Sequence, residues 1–427
     1  MATTGTDRAT HTTRTPQATP ATHKPLWRNR DFLFIAGGQA VSDAGTQISH
    51  LAFPLLLLLI TGSPAQAGLA GALRTVPYVL MALPAGALVD RWNRRTVMLV
   101  CDTGRALGLA SIPLTAAFHA LTLPQLYLVA FVEGILGVVF DIAAVASLPR
   151  VVSSAQLPRA TSWQIAGSGG ASLAGPPLGG LLYGINSALP FLADTISYAC
   201  SVATLLFVRT PLQAERNALR EPMAREIWTG LSWLWRKPTI RMLAILSGLL
   251  NLVAPGASTL LIIVLAQQQH ASSSLIGLIF AGVGVGYILG SMLAGVICRW
   301  CSFKAVMLGT CWLFAIIWGC YAFAVHNLLL LAVVSAIFAF VDPIYDITQF
   351  SYRMVLIPDA LQGRVNSAYR VIARATPPLG LALTGILLQH AGALPTIAIL
   401  GIFLLAMAVL ATTSRSIRSA PAHGTSR

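Results

Sequence analysis

Residues 86–95 read GALVDRWNRR, and this stretch decides the fold because it concentrates charge in a chain that has little. Only 10% of the 427 residues are charged, yet Asp90, Arg91, Arg94 and Arg95 lie almost side by side. A soluble domain carries about 25% charged residues, and the mean hydropathy here is +0.72. We therefore expect the chain to lie in a lipid bilayer, with this stretch as a short polar connection between two membrane spans.

Twelve apolar runs are bounded by polar residues, glycines and prolines, and each has roughly the 20 residues that a membrane-spanning helix needs. We predict an all-α membrane protein with spans at 32–60, 66–90, 97–119, 123–148, 160–184, 188–208, 241–267, 273–298, 304–324, 327–353, 366–390 and 393–413.

The connections between these spans alternate in basic charge. Those at 61–65, 120–122, 185–187, 268–272, 325–326 and 391–392 contain no Lys or Arg, whereas the alternate ones contain several. By the positive-inside rule, both termini and all basic connections face the cytoplasm, across a cell (inner) membrane. This topology accounts for the excess of 28 Lys and Arg over 14 Asp and Glu, so we expect no nucleic-acid partner.

The longest basic connection separates six spans from six. We predict a disordered cytoplasmic tail at 1–25, a six-helix bundle at 26–208, a linker at 209–240, a second bundle at 241–413 and a tail at 414–427. Within the linker, REIWTGLSWLWRK at 225–237 has apolar residues at helical spacing between charged ends. This pattern predicts a helix at the headgroup level, with either a lipid-packing or a regulatory role.

The two bundles repeat each other in sequence. GPPLGGLLYG at 175–184 is similar to TPPLGLALTG at 376–385, and AGALVDRWNRRTVML at 85–99 is similar to AGVICRWCSFKAVML at 294–308. Each later copy lies six spans on, in the same orientation. The repeat predicts two parallel six-helix bundles with a pathway between them, as in an alternating-access carrier.

Several of these stretches carry a family resemblance. GALVDRWNRR resembles the loop signature Gly-x-x-x-Asp-Arg-x-x-Arg-Arg between the second and third helices of the major facilitator superfamily. LPRVVSSAQLPRATSW at 148–163 and LIPDALQGRVNSAYR at 356–370 resemble its drug:proton antiporter branch, which includes macrolide and enterobactin exporters. The antiporter signature of the fifth helix is matched by Gly175, Pro176, Gly179 and Gly180, although Ala171 stands where that signature usually has glycine.

The resemblance implies a major facilitator fold, export by alternating access and a proton gradient as the driving force, with no cofactor. It also implies that Asp90 latches a gate by meeting the start of the eleventh helix, near 364–367, in the outward-open state. A carboxylate is stabilised at a helix N-terminus, so the physics agrees with this role.

The sequence lacks the usual motifs for nucleotide binding and for metal binding. No Gly-Lys-Ser/Thr follows the glycine-rich stretches, which excludes a nucleotide partner of the usual kind. The six cysteines are scattered, and Cys298 and Cys301 have no second pair to complete a zinc site, so we predict no metal. We expect a monomer that is not an enzyme.

Ionisable residues inside the spans point to function. A shallow layer, about 9–13 Å from the cytoplasmic helix ends at 1.5 Å per residue, contains Asp102, Arg105, Asp141, Asp346 and Arg374. With the loop residues Asp90, Arg91, Arg94 and Arg95, these residues form a predicted cytoplasmic gate, although structural pairing is an equally simple interpretation.

Deeper carboxylates suit proton coupling, because a low dielectric favours proton uptake near neutral pH. Asp43 and Asp342 lie about 16 Å deep and Glu133 about 22 Å, with Arg74 at a depth that would let it neutralise Glu133. Asp43 is the first candidate and Asp342 the second. We expect Asp43→Asn to uncouple transport from the pH gradient.

The candidate substrate cavity contains Gln39, Gln47 and Tyr345, polar or aromatic groups among apolar neighbours. Together these features predict proton-coupled efflux of amphipathic small molecules, such as antibiotics or siderophores. Two alternatives are a proton-coupled uptake symporter and a membrane receptor or partner-binding protein that transports nothing.

Overall fold

The structure is a computed structural model that describes residues 25–81, 84–213, 223–254, 256–358 and 361–418, without the side chains of 87, 90, 223–227, 229 and 363. The described residues contain no β-strand. The helices are α1 (Arg30–Thr61), α2 (Pro64–Met81), α3 (Pro84–Arg91), α4 (Arg94–Ala117), α5 (Leu123–Val151), α6 (Leu157–Ile185), α7 (Leu189–Leu206), α8 (Met223–Arg236), α9 (Pro238–Val253), α10 (Gly256–Gln268), α11 (Ser273–Trp300), α12 (Phe303–Ala324), α13 (Leu328–Leu356), α14 (Gln362–His390), α15 (Ala393–Thr413) and α16 (Arg415–Arg418).

The all-α membrane architecture is confirmed. In the part of the chain that the structure describes, ten helical segments are long and apolar enough to cross a membrane, with α9 and α10 counted as one. The predicted spans at 66–90 and 160–184 are not among these ten; they correspond to α2 with α3 and to α6, which is rich in glycine and serine.

The opening stretch forms a helix–turn–helix. α3 ends at Arg91, and the side chain of Asn93 caps the start of α4 by accepting from the amides of Arg95 (3.0 Å) and Thr96 (3.4 Å). An asparagine at this position satisfies amides that have no partner within the first turn. The polar connection predicted from the sequence is therefore a turn of two residues, Trp92 and Asn93.

The arginines after this turn bind main-chain carbonyls. Arg95 donates from Nε to Leu205 O (3.0 Å) and from Nη2 to Leu206 O (2.6 Å), at the C-terminal end of α7. Arg94 donates from Nη1 to Ala146 O (2.7 Å), near the end of α5. Cations stabilise the carbonyl end of a helix, so these two arginines tie together helices of the first bundle.

Two ends of the helix bundle are distinguished by charge. The basic end is the one at which α1 and α4 begin, at Arg30 and Arg94; the opposite end is the one at which α1 ends and α2 begins, at Thr61 and Pro64.

Glycines bring the two bundles together toward the opposite end. A Cβ built on Gly68 of α2 would lie 2.5 Å from Leu381 O of α14. A Cβ on Gly180 of α6 would lie 2.4 Å from Ser273 O of α11. Helix backbones can approach this closely only where the side chain is a hydrogen atom. The glycine-rich stretches thus form two seams, α2 with α14 and α6 with α11.

The linker helix α8 lies against the start of α14. A Cβ on its Gly230 would be 2.3 Å from Arg364 O, and Leu234 is fully buried, whereas Trp228 and Trp235 are exposed. Exposed tryptophans beside a buried apolar face are typical of an interfacial helix. The predicted tails at 1–25 and 414–427 fall largely outside the described residues.

Candidate functional site

A cavity of about 990 Å³ lies between the two bundles. Both bundles contribute charged side chains to its wall. The first contributes Arg74, Arg105, Glu133 and Asp141, and the second contributes Asp342, Asp346, Arg353, Arg370 and Arg374. Phe53, Leu57, Leu250 and Leu381 are among the apolar residues between them. A large apolar chamber with a few charged groups suits an amphipathic organic ligand.

The cavity is closed toward the opposite end and continues toward the basic end. The glycine seams close it on one side, where Ser63 also donates a hydrogen bond to Gln389 across the two bundles. On the other side its wall includes Arg353, three residues before α13 ends. The wall therefore extends from the seams to within one helical turn of the end of α13.

The centre of the first bundle holds an ion pair. Arg74 Nη2 lies 2.6 Å from Glu133 Oε1, and both side chains are largely buried. Tyr198 donates to the same carboxylate oxygen at 3.3 Å. The sequence predicted this pair from the matching depths of Arg74 and Glu133. The pair leaves Glu133 neutralised by a cation, so Glu133 is less suited to carry protons than the sequence alone suggested.

Arg105 joins this centre rather than a separate shallow layer. Its guanidinium lies 3.5 Å from Asp102 Oδ1 and 4.0 Å from Glu133 Oε1, and its Cζ is 4.1 Å from the centre of the Tyr198 ring. Asp102 and Arg105 are three residues apart on α4, a spacing at which two side chains of one helix can meet. The contact with Glu133 was not expected, because depth was counted along the backbone and the long arginine side chain reaches toward the midplane.

Asp194 on α7 is a buried carboxylate that the sequence interpretation missed. It is fully buried and accepts a hydrogen bond from Ser197 at 3.0 Å. It lies within electrostatic range of Glu133, Arg105 and Arg74. A single acid in the apolar stretch LPFLADTISY was the available signal.

The second bundle contains an aromatic and polar network. Tyr369 donates to Gln349, Gln349 Nε2 donates to Ser247 Oγ at 2.9 Å, and Ser247 also bonds to Tyr369. The Cζ of Arg353 lies 3.4 Å from the centre of the Tyr369 ring. Arg353 is the last residue of the predicted span at 327–353; α13 continues past it to Leu356, and only 7% of the residue is exposed.

The remaining predicted gate residues line the cavity without pairing. Asp141, Asp346 and Arg374 have no opposite charge within 4.0 Å among the described residues. Arg374 instead lies over the ring of Tyr78, 4.9 Å from its centre. The expected layer of ion pairs is therefore limited to Asp102 and Arg105, because the other side chains face an open chamber.

Asp342 and Asp43, the two proton-coupling candidates, differ in position. Asp342 lines the cavity. Asp43 accepts a hydrogen bond from Ser168, at the interface between α1 and α6, and is outside the cavity wall.

The candidate cavity residues also lie outside that wall. Gln39 accepts from Gln164 (2.7 Å) and Gln47 donates to Ser172 (2.8 Å), both on α6. Tyr345 is fully buried and bonds to Ser247 at 3.3 Å. The sequence showed that α1 has a polar face, but only packing shows that this face meets α6.

The residues of the antiporter signature pack α6 against its neighbours. A Cβ on Gly175 would lie 2.3 Å from Gln47 Cβ, and one on Gly179 would lie 2.6 Å from Ile48 O, both on α1. Pro176 and Gly180 face α11, where Gly277 approaches both. These residues therefore permit close contact of α6 with α1 and with the second bundle.

The proposed latch cannot be placed. The side chain of Asp90 lies outside the described residues, whereas Arg91 is exposed at the basic end. The Asp90 latch thus stays a prediction.

Comparison with known proteins identifies relatives. A sequence model of the Major Facilitator Superfamily matches residues 35–263 and 244–426. The chain is 28% identical over 394 residues to the multidrug efflux pump Tap of Mycolicibacterium fortuitum, covering 89% of this chain and 94% of that protein. It is 24% identical over 358 residues to the enterobactin exporter EntS of Citrobacter koseri, covering 81% and 82% of the two.

Solved structures share the helix arrangement. A bacterial homologue of the iron transporter ferroportin in its inward-facing state superposes with a TM-score of 0.73 at 16% identity, covering 91% of this chain and 99% of that chain. A bacterial homologue of the iron transporter ferroportin in its outward-facing state, also 16% identical, superposes with a TM-score of 0.57, covering 90% of this chain and 98% of that chain. The fold is thus shared with these transporters.

Proposed function

The chain belongs to the Major Facilitator Superfamily, and on that premise we propose that it is a proton-coupled exporter of amphipathic small molecules. The observation that carries the proposal is the cavity of about 990 Å³ between the bundles, which is mostly apolar in its wall yet contains unpaired carboxylates. The similarity to an efflux pump and to an enterobactin exporter, each over four fifths of the chain or more, favours the outward direction.

The protein is a multi-pass membrane protein, and its orientation is part of the proposal. The basic end would face the cytoplasm under the positive-inside rule, with both termini on that side. The cavity would then open to the cytoplasm in this conformation. The bundles at 26–208 and 241–413 would act as two bodies joined by the linker at 209–240, within a single subunit.

Alternating access requires the seams at the opposite end to separate while the basic end closes. The contacts there are between glycines and backbone atoms, as at Gly68 with Gly385 and Gly180 with Gly277. Such flat surfaces can part without withdrawing interlocked side chains. The ion pair of Arg74 with Glu133 lies within one bundle, so it can stay intact as the bundles rock.

Asp342 and Asp346 are the proposed proton carriers. Both line the cavity from α13, and neither has a cation within 4.0 Å among the described residues. Gln349 donates to Asp346 at 3.1 Å. A cavity-lining carboxylate that is not in contact with an arginine can gain and lose a proton during the cycle.

Exchanging single carboxylates tests this assignment. Asp342→Asn should abolish drug efflux driven by an imposed pH gradient, because it removes a protonation site from the cavity. Asp43→Asn is the matched control on α1, and it should retain most of the activity because Asp43 lies outside the cavity wall. The measurement is dye or antibiotic flux in proteoliposomes, with the pH gradient applied and then collapsed by an uncoupler.

Two results would contradict the proposal. Full proton-driven flux in Asp342→Asn, with loss of flux in Asp43→Asn, would favour Asp43 as the proton carrier, as the sequence analysis predicted. Increased drug sensitivity of an efflux-deficient host that expresses the protein would indicate uptake instead of export.

A further inference from the structure

The guanidinium of Arg353 lies in the cavity wall between two aromatic rings. Its Cζ is 3.4 Å from the centre of the Tyr369 ring and 5.7 Å from that of Phe350. Only 7% of the residue is exposed. Stacking on ring faces fixes the plane of an arginine and so prepares it to meet a planar anion.

This buried charge has no carboxylate in contact with it in the part of the chain that the structure describes. Among the described residues no carboxylate oxygen lies within 4.0 Å of it, and its Nε and Nη1 have no hydrogen-bond partner. Asp346, the carboxylate within electrostatic range, accepts from Gln349 instead. An unpaired buried cation is costly, which favours a site that is completed by something from outside.

A second arginine extends the positive region along the cavity wall. Arg370 on α14 is exposed to the cavity and lies within electrostatic range of Arg353. Two like charges near each other raise the affinity for a negatively charged group. Apolar residues such as Leu250 and Leu260 continue the wall beyond them.

We propose that Arg353 and Arg370 form an anion-binding subsite, which holds a carboxylate or sulfonate group of an amphipathic substrate entering from the basic end. The guanidinium of Arg353 binds the anion, Tyr369 and Phe350 hold that guanidinium in place, and the apolar wall receives the rest of the molecule. This inference rests on the proposed transport function, because it names the charge of the substrate that the cavity accepts.

Equilibrium binding tests the subsite without any flux. Full-length protein in nanodiscs of neutral phosphatidylcholine is titrated with three probes that share one ring system: 1-naphthylacetate, 1-naphthylacetamide and 1-naphthylmethylammonium. The anion should bind more tightly than the neutral amide. Arg353→Gln should weaken binding of the anion about tenfold and leave the affinity for the amide unchanged. Arg353→Lys should lose less affinity for the anion, because it keeps the positive charge.

Further variants keep the test decisive if Arg353→Gln fails to fold. Arg370→Gln replaces an exposed residue and should weaken binding of the anionic probe alone. Asp346→Asn should leave anion affinity equal or higher, since it removes a nearby negative charge. The control Arg299→Gln, exposed at the basic end of α11 and outside the cavity wall, should change nothing.

The proposal is overturned by three results. One is equal affinity for the anion and the amide. Another is a loss of anion affinity in Asp346→Asn. The third is competition by anionic phosphatidylglycerol in the nanodisc, which would assign the site to a lipid headgroup. The titration measures binding without a gradient, so its result is independent of transport. A protein that binds the anion but shows no flux in proteoliposomes would contradict the transport function and still support the subsite.

Discussion

Each bundle places an arginine over a buried tyrosine, yet the two arginines have different partners. In the first bundle Arg105 lies over Tyr198, with Asp102 and Glu133 at 3.5 and 4.0 Å. In the second, Arg353 lies over Tyr369 with no carboxylate within 4.0 Å among the described residues. A similar stacking therefore occurs in both bundles, on helices that are not equivalent by the repeat, but among the described residues only the first bundle places carboxylates beside the arginine.

The difference suggests a division of labour. A neutralised cluster in low dielectric is stable and resists change, because separating its charges would leave one of them unpaired. A cation and carboxylates that are not in contact with an opposite charge among the described residues, such as Arg353, Asp342 and Asp346, can bind a charged ligand or a proton. We infer that the first bundle supplies a fixed electrostatic frame and that the second bundle supplies the groups that change state.

The largest expected effect comes from removing one arginine of each stack. Arg105→Met should lower the free energy of unfolding by about 3–5 kcal/mol, because it leaves the buried Asp102 without its cation. Arg353→Met should leave stability unchanged or higher, because no carboxylate among the described residues is in contact with Arg353. The measurement is unfolding of the purified protein in mixed micelles, followed by tryptophan fluorescence. Equal losses of unfolding free energy in the two variants would contradict the proposed difference between the bundles.

An intermediate effect is expected in the coupling between charges. A double-mutant cycle of Arg74→Gln and Glu133→Gln should give a coupling of about 1–3 kcal/mol, as for residues in one buried network. The same cycle with Arg353→Gln and Asp346→Asn should give about 0.5 kcal/mol or less, because these side chains are not in contact. A large coupling in the second cycle would show that Asp346 already neutralises Arg353.

The smallest difference between the two bundles is expected from the tyrosine hydroxyls. Tyr198→Phe removes a hydrogen bond to the Glu133 carboxylate and should cost about 1.5–3 kcal/mol of unfolding free energy. Tyr369→Phe removes bonds to neutral partners, Gln349 and Ser247, and should cost about 0.5–1.5 kcal/mol. The same unfolding assay compares the two, and a reversed order would indicate that the first cluster is not held by charge.

Much of the fold could be predicted without the structure. The apolar runs predicted the spans, the alternation of basic and uncharged connections predicted their orientation, and the repeated stretches at 85–99 and 294–308 predicted two related bundles. The pair of Arg74 with Glu133 followed from counting residues along straight helices. These features depend on local hydrophobicity and helix rise, which are properties of the chain itself.

The cavity could not be predicted in the same way. Asp43, Gln39 and Gln47 make α1 polar, and the structure shows that α6 covers this face. Arg353 ends the predicted span at 327–353, and nothing in the sequence indicated that its side chain reaches the cavity wall. Whether a polar face meets a neighbour or an open chamber depends on helix rotation and on contacts between distant segments, and span prediction contains neither.

The sequence by itself determined that this chain is a membrane protein of twelve spans in two repeated halves, because crossing a bilayer requires long apolar helices whose ends are marked by charge. Only the tertiary structure decided which charges neutralise each other and which stay open. In GALVDRWNRR the sequence placed the turn, but packing assigned Arg94 and Arg95 to the carbonyl ends of α5 and α7. Side-chain reach and helix rotation act over a few ångströms between residues far apart in the chain, so they emerge only when the bundle is assembled.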